Sequence, residues 1–284
     1  MREQLFENIS HQVELGSNDA RKALDFILPL AATCNNHRTA AMTLARLYRK
    51  VGNQTKRLEF SKIAIKDLPD SAVAVLEYAD ALMPDQPEQS IKILEAFTQK
   101  HPENLDVQLG LAKAYALTQN KKGIQKQLSI LDSYSKKSAA LSYSLATITD
   151  AISLDSDTKR FLMQFERLAI EHSVMIDRLP QAYFSLGLLD FRQKHYEAAS
   201  SWFSKVSSKS EFFPRARVLQ ARALERTGKI KEALSILEHT KVDSTLQTDI
   251  WIEQSYIYYR NQQLEKAYKT CLLYTSPSPR DISG

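Results

Sequence analysis

The chain has 284 residues, of which 43% are hydrophobic and 25% charged, and its formal net charge is +5. This is the composition of an ordinary globular protein, and no stretch reaches the roughly 18 apolar residues that a membrane-spanning helix needs. Two distant cysteines, Cys34 and Cys271, exclude a disulfide framework and a cysteine-based metal cluster. The net charge is too mild to indicate nucleic-acid binding, for which charge is usually concentrated on one face.

Residues 1–36 are predicted to form a degenerate N-terminal pair of helices. An apolar stripe indicates an amphipathic helix over residues 1–15, and a second helix is expected over 20–32 after a polar turn. The start of the chain has neither the basic residues nor the apolar run of a signal peptide, so we expect a cytoplasmic protein.

From residue 37 onward, small residues recur at a period of about 34. They stand 33 or 34 residues apart in two series, which are Ala45, Ala79, Ala112 and Ala146, and then Gly187, Ala221 and Ser255. A repeat of this length with small residues at fixed places indicates a stacked helical hairpin, since closely crossing helices leave little room for a side chain. About seven tandem repeats are therefore predicted over residues 37–270.

The repeat is interrupted between residues 147 and 180. The step from Ala146 to Gly187 is 41 residues, seven longer than the period. A helix of four turns is predicted over residues 157–172, and the extra residues are expected in a longer second helix or in a longer loop near 171–180. The run Asp155-Ser156-Asp157 lacks the glycine and glutamate of a calcium loop, so it predicts a helix N-cap instead.

The end of the chain departs from the helical pattern. The second helix of the last repeat is expected to run past Ala267 for two more turns, but the pattern stops near Cys271. The run from Cys271 to Gly284 resembles the conceptual translation of a transposon-derived sequencing adapter. We expect residues 271–284 to be a non-native tail, and a native tail rich in serine and proline is the alternative.

One repeat carries a recognisable set of residues: Tyr183, Leu186-Gly187, Tyr196, Ala199 and Phe203. This set resembles the tetratricopeptide repeat pattern, and the likeness extends over about residues 38–267. The resemblance implies an all-α, right-handed α-solenoid of stacked antiparallel helix pairs. The chain is also similar to bacterial tetratricopeptide proteins, some of which carry a lipoprotein signal, so a periplasmic or membrane-anchored location is expected if the native start lies upstream.

The resemblance further implies a concave groove lined by the first helix of each pair. Carrying the ligand-facing positions of the family over to this chain selects Arg46, Arg49, Phe184, Leu188, Phe191, Arg192, Arg222, Arg226, Tyr256, Tyr259 and Arg260. Arginines and aromatic residues on one face suit a peptide with apolar anchors and acidic flanks. The other interpretation is that the arginines are solvated surface and that Phe191 or Tyr256 packs between repeats.

The sequence predicts no enzyme, cofactor or metal site. Its six histidines are scattered, and seven glycines do not form a phosphate-binding loop. We therefore expect a non-catalytic scaffold that binds a peptide or helix of a protein partner. Two alternatives remain open, which are an RNA-binding helical-repeat protein that reads bases with a few side chains per repeat, and the regulatory arm of a longer enzyme.

Overall fold

The computed structural model describes residues 17–33, 37–240 and 244–275. Within these ranges the chain forms fifteen α-helices and one short 3-10 helix, without a β-strand. The all-α fold predicted from the repeat is therefore confirmed. The helix predicted over residues 1–15 lies outside the described residues. No described helix is long and apolar enough to cross a lipid bilayer.

The chain divides into two compact units, of which the first covers residues 1–134. Its described part contains one helix followed by three antiparallel helix pairs. The helices are α1 (Ser17–Thr33), α2 (His37–Lys50) with α3 (Gln54–Asp67), α4 (Ala72–Leu82) with α5 (Pro87–Lys100), and α6 (Leu105–Leu117) with α7 (Lys121–Ser135). The last residue of α7 lies just beyond the boundary.

The second unit, residues 135–284, contains four helix pairs. They are α8 (Ala139–Ala151) with α9 (Asp155–His172), α10 (Leu179–Arg192) with α11 (Tyr196–Ser204), α12 (Phe213–Arg226) with α13 (Ile230–His239), and α14 (Ser244–Arg260) with α15 (Leu264–Thr275). The 3-10 helix Ile176–Arg178 precedes α10. In both units each even-numbered helix is the first of a pair.

The periodic small residues lie on the first helices and are buried there. Relative exposure is at most 6% for six of them, and Gly187 is also buried; the six are Ala45, Ala79, Ala112, Ala146, Ala221 and Ser255. At Gly187 an added Cβ would lie only 2.5 Å from a ring carbon of Phe203 on the paired helix. The structure therefore confirms that these positions allow the two helices of a pair to approach closely.

Helix starts follow ordinary capping chemistry. The side chains of Asn53, Ser71, Asn104 and Ser138 each accept a hydrogen bond from the backbone N–H three residues later. Proline occupies the first turn of α5, α10 and α12, where its missing N–H costs no helical hydrogen bond. Short polar caps and prolines thus determine where these helices begin.

The turns within the pairs share one backbone feature. In six of the seven pairs, the seventh residue after the small one has a positive φ, between 56° and 79°; these residues are Gly52, Gln119, Ser153, Lys194, Gly228 and Gln262. The next N–H then bonds to the carbonyl five residues earlier, as from His195 to Asp190 at 2.8 Å. This is a Schellman closure, which needs a left-handed residue and therefore favours glycine.

Replacing Lys194 with glycine is accordingly expected to stabilise the protein. Lys194 has a φ of 63° and an exposed side chain, so the change removes left-handed strain without removing packing. The expected gain in the free energy of unfolding is on the order of 1 kcal/mol. Urea unfolding followed by circular dichroism measures it. The reverse change at the matching position, Gly228→Lys, should cost a similar amount, and a loss in Lys194→Gly would contradict the strain assignment.

The interrupted region contains both of the predicted alternatives. The second helix α9 has 18 residues, which makes it the longest described helix, and residues 173–178 form an extra connection with Ser173 and Met175 at positive φ. Asp155 and Asp157 lie in the first turn of α9, whereas the cap position itself is Leu154 and makes no side-chain cap. The aspartates therefore favour the helix start through its dipole and do not cap it.

The last described helix extends beyond the point at which the sequence pattern stops. Helix α15 continues to Thr275, and the Sγ of Cys271 lies 2.9 Å from the Oγ of Ser255 on α14. Residues 276–284 lie outside the described residues.

Candidate peptide-binding surfaces

The first unit has an open groove of about 710 Å³ along its first helices α2, α4 and α6. Its apolar lining includes Val73, Leu76 and Met83 from α4 and Leu109 and Leu117 from α6. Val73 is 50% exposed and Leu117 is 71% exposed. Two large aliphatic side chains thus face water in a concave place, where a ligand would bury them.

Charged residues line the same groove. The residues Arg46, Arg49 and Lys50 come from α2, and Lys113 comes from α6. Asp80 and Asp106 are the acidic residues that line it with exposed or half-exposed side chains. The structure therefore brings the predicted residues Arg46 and Arg49 together with an apolar lining that the sequence analysis did not identify.

Arg49 already has a carboxylate partner in its own chain. Its Nη1 donates to Glu77 at 2.9 Å, and Arg57 from α3 donates to the other oxygen of Glu77, also at 2.9 Å. Arg57 also donates to Asp80. Burial lowers the pKa of Arg57, but the hydrogen bonds to Asp80 and Glu77 and the charges of these two carboxylates together outweigh it, so the pKa is raised. Glu77 therefore joins α3 and α4 and holds Arg49 at the groove.

In the second unit, the aromatic residues predicted on α10 take part largely in packing. Phe184 is only 5% exposed, and its ring centroid lies 5.4 Å from that of Phe212. The expectation that Phe184 contacts a ligand is therefore corrected, because residues of the α10–α12 core already cover its ring. Leu188 and Phe191 are half-buried against the same core, and Phe191 meets the ring of Tyr196 edge-on at 5.3 Å.

The predicted arginines of the second unit are mostly paired within the chain. Arg192 lies 3.1 Å from Asp155, and Arg222 lies 2.6 Å from Glu253. Arg260 donates two hydrogen bonds to Glu225, at 2.8 and 2.7 Å. In each of these pairs the arginine side chain is exposed, but a carboxylate of the same chain already balances its charge.

Three predicted residues of the second unit are exposed and take no part in an ion pair of the described residues. Tyr256 is 54% exposed and Tyr259 is 64% exposed, and Arg226 is exposed with no ion-pair partner among the described residues. The guanidinium of Arg260 lies 5.9 Å from the ring centre of Tyr256. Tyrosines beside arginines are typical of protein-contact surfaces.

Comparisons with known proteins show the fold. Neither a family model nor a curated protein matches the sequence. A tetratricopeptide repeat protein from Parabacteroides merdae matches 87% of this chain and 97% of its own, with a TM-score of 0.55 and 14% identity. Pseudomonas aeruginosa pilF matches 76% and 96%, with a TM-score of 0.52 and 14% identity.

A third match is an ATPase of the signal-transduction class with numerous domains, from Pyrococcus horikoshii, which has a tetratricopeptide repeat sensor. It covers 94% of this chain and 47% of that one, with a TM-score of 0.59 and 14% identity. The chain has a tetratricopeptide-repeat fold. The family resemblance seen in the sequence is thus confirmed at the level of structure.

The tetratricopeptide-repeat pattern also locates buried carboxylates that sequence reasoning missed. Glu77 and Glu253 both stand two residues before the small residue of their repeat, and they are 5% and 2% exposed. Each pairs with an arginine from the preceding first helix, namely Arg49 and Arg222. The other five repeats have an uncharged residue at this position, so the glutamate is the signal that identifies this ionic link between repeats.

Asp190 occupies the place of the second aromatic in the tetratricopeptide-repeat pattern. It is fully buried and meets Lys159 Nζ at 2.5 Å, while Trp202 donates its indole N–H at 3.0 Å. Nearby, burial and then the charge of Glu166 raise the pKa of Tyr183 to about 12. Because Trp202 and Lys159 satisfy the carboxylate, this departure from the pattern is structural.

Proposed function

We propose that the protein is a non-catalytic scaffold that binds a peptide or helix of a protein partner in the groove of α2, α4 and α6. The observation that carries the proposal is the open concave groove with exposed aliphatic side chains and cationic residues at its sides. Protein-binding sites combine apolar anchor pockets with polar rims in this way. Three helices of the first unit form the groove, so a segment would bind to backbone that is already helical.

A neighbour of the same fold supports a peptide as the ligand. YrrB is a tetratricopeptide repeat protein with an unusual peptide-binding site; it matches 72% of this chain and 99% of its own, with a TM-score of 0.52 and 14% identity. At this identity the likeness concerns the fold, so the groove residues of this chain must carry the proposal themselves.

Replacing Val73 and Leu117 together with glutamine is expected to weaken peptide binding. Both side chains are at least half exposed, so the fold loses little, whereas a bound peptide loses two apolar contacts. Burying one such side chain contributes about 1.5–3 kcal/mol, so affinity should fall by at least about tenfold. The measurement uses peptides selected from a random display library on the full chain and titrated against each variant.

The matched control is Met163→Gln with Ile170→Gln, which removes two exposed apolar residues of α9 outside the groove. It should leave the affinity of the selected peptides unchanged. If Val73→Gln/Leu117→Gln keeps full affinity while Arg226→Glu/Tyr259→Ser loses it, the peptide site lies on the second unit. Arg226 is preferable to Arg222 there, since reversing Arg222 would also place a second carboxylate against the buried Glu253.

A further inference from the structure

The positive charge of the protein is concentrated in one short part of the chain. Residues 107–149 contain six lysines and one aspartate, and neither arginine nor glutamate. Removing these from the 38 basic and 33 acidic residues of the chain leaves 32 of each. The whole net charge of +5 therefore comes from this segment, and the rest of the chain is balanced.

Four of these lysines lie on the helix pair α6–α7 of the first unit. Lys113 is exposed on α6 and lines the groove, and Lys121, Lys122 and Lys126 are exposed on α7. None of the four forms an ion pair within the described residues. We call these four residues the lysine surface. It contrasts with the arginines of the second unit, most of which have carboxylate partners.

The lysine surface does not help the fold. Lys121 and Lys122 lie in the first turn of α7, where the helix dipole repels positive charge. Lys122 and Lys126 are four residues apart on one helix face, so they repel each other. Such a placement weakens the helix and leaves a positive potential that an external anion can satisfy.

We propose that the lysine surface binds an acidic segment of the same partner chain that occupies the groove; this inference rests on the proposed function. Lys113 and Leu117 both line the groove, and a short turn joins Leu117 at the end of α6 to Lys121 and Lys122 at the start of α7. A chain anchored on Leu117 would meet Lys113, Lys121 and Lys122 as it leaves the groove. Charge complementarity then selects glutamate and aspartate beside the apolar anchors.

A nucleic acid fits this surface less well than an acidic peptide. Arginine, which binds phosphate with a planar fork, is absent from residues 107–149. Single-stranded nucleic acids also need aromatic side chains on which bases stack, whereas Leu117, the exposed apolar residue between Lys113 and Lys121, is aliphatic and the exposed Tyr134 lies two turns beyond Lys126 on α7. The lysine surface thus offers diffuse attraction to carboxylates next to an aliphatic contact.

The test compares two charge-reversal variants of the full chain. Lys121→Glu/Lys122→Glu changes the start of α7, and Lys229→Glu/Lys231→Glu changes the start of the matching second helix α13, where both lysines are also exposed. The probe is a fluorescein-labelled peptide of repeated Leu-Glu-Glu, titrated at low salt. The first variant should bind it about tenfold more weakly while its thermal midpoint stays equal or rises. The control should bind it as the unchanged protein does.

Three results would overturn the inference. One is equal binding of the Leu-Glu-Glu peptide by Lys121→Glu/Lys122→Glu and by the unchanged protein. Another is that the unchanged protein binds a repeated Leu-Lys-Lys peptide as tightly as the Leu-Glu-Glu peptide. The third is that the unchanged protein binds a labelled oligothymidylate more tightly than the Leu-Glu-Glu peptide, and that Lys121→Glu/Lys122→Glu loses this binding. If library peptides still require Val73 and Leu117, only the acidic preference fails; if they do not, the proposed groove function fails as well.

Discussion

Replacing Gly187 with leucine is expected to lower the free energy of unfolding by on the order of 1–3 kcal/mol. A single added Cβ would already lie 2.5–2.8 Å from three ring carbons of Phe203. Phe203 is completely buried among residues of α10–α12, so its ring has no free space into which to move. The leucine must therefore separate α10 from α11. A thermal or urea melt followed by the helical circular dichroism signal measures the loss.

Two further variants make the Gly187 result specific. Gln193→Leu adds the same side chain at an exposed place at the end of α10, and its effect should stay within about 0.5 kcal/mol. Gly187→Leu/Phe203→Leu should recover part of the lost stability, because the smaller side chain at 203 makes room for the one at 187. An unchanged midpoint in Gly187→Leu would contradict the close helix crossing on which the repeat assignment depends.

The second large effect is expected when Glu77 is replaced with alanine. Glu77 is 5% exposed and accepts hydrogen bonds from Arg57 and Arg49, each at 2.9 Å. The change leaves the buried guanidinium of Arg57 with Asp80 as its carboxylate partner. Removing one partner of a buried ion pair costs about 3–5 kcal/mol, and the remaining contact to Asp80 places the expectation near the lower end. Urea unfolding measures the change.

The rescue variant for Glu77 is Arg57→Met/Glu77→Leu. It removes both charges and fills similar volume, so most of the stability should return, because two buried ions no longer need to be desolvated. Glu59→Ala serves as the control, since it breaks the exposed pair between Lys56 and Glu59 and should leave the midpoint unchanged. If Glu77→Ala were as harmless as this control, the ionic link between α3 and α4 would contribute no stability.

The ion pairs of the buried Glu77 and Glu253 also change how the predicted ligand-facing arginines are interpreted. Arg49, Arg222 and Arg260 stand at ligand-facing repeat positions, yet each meets a carboxylate of its own chain. Their position on the repeat was predictable, whereas their pairing depends on side chains that lie about 30 residues away. A partner would therefore compete with existing ion pairs at these arginines. The unpaired lysines of α6–α7 have no such internal competitor.

The amino-acid sequence by itself determined the repeat and its consequences for packing. A period of 34 residues and small side chains at fixed places can be read from the chain alone, and they were sufficient to predict the helix pairs and the close crossing at Gly187. The same local reasoning predicted the extra length around residues 147–180, because the period alone shows where seven residues were added.

Only the tertiary structure decided which side chains face solvent and which already pack against or pair with residues of their own chain. Phe184 is covered by Phe203 and Phe212, Glu253 is buried against Arg222, and the exposed Val73 and Leu117 share a groove although they lie on different repeats. The physical reason is that exposure and ion pairing depend on neighbours from adjacent helices. A repeat position gives the direction of a side chain along its own helix, but the neighbouring repeat determines what it meets.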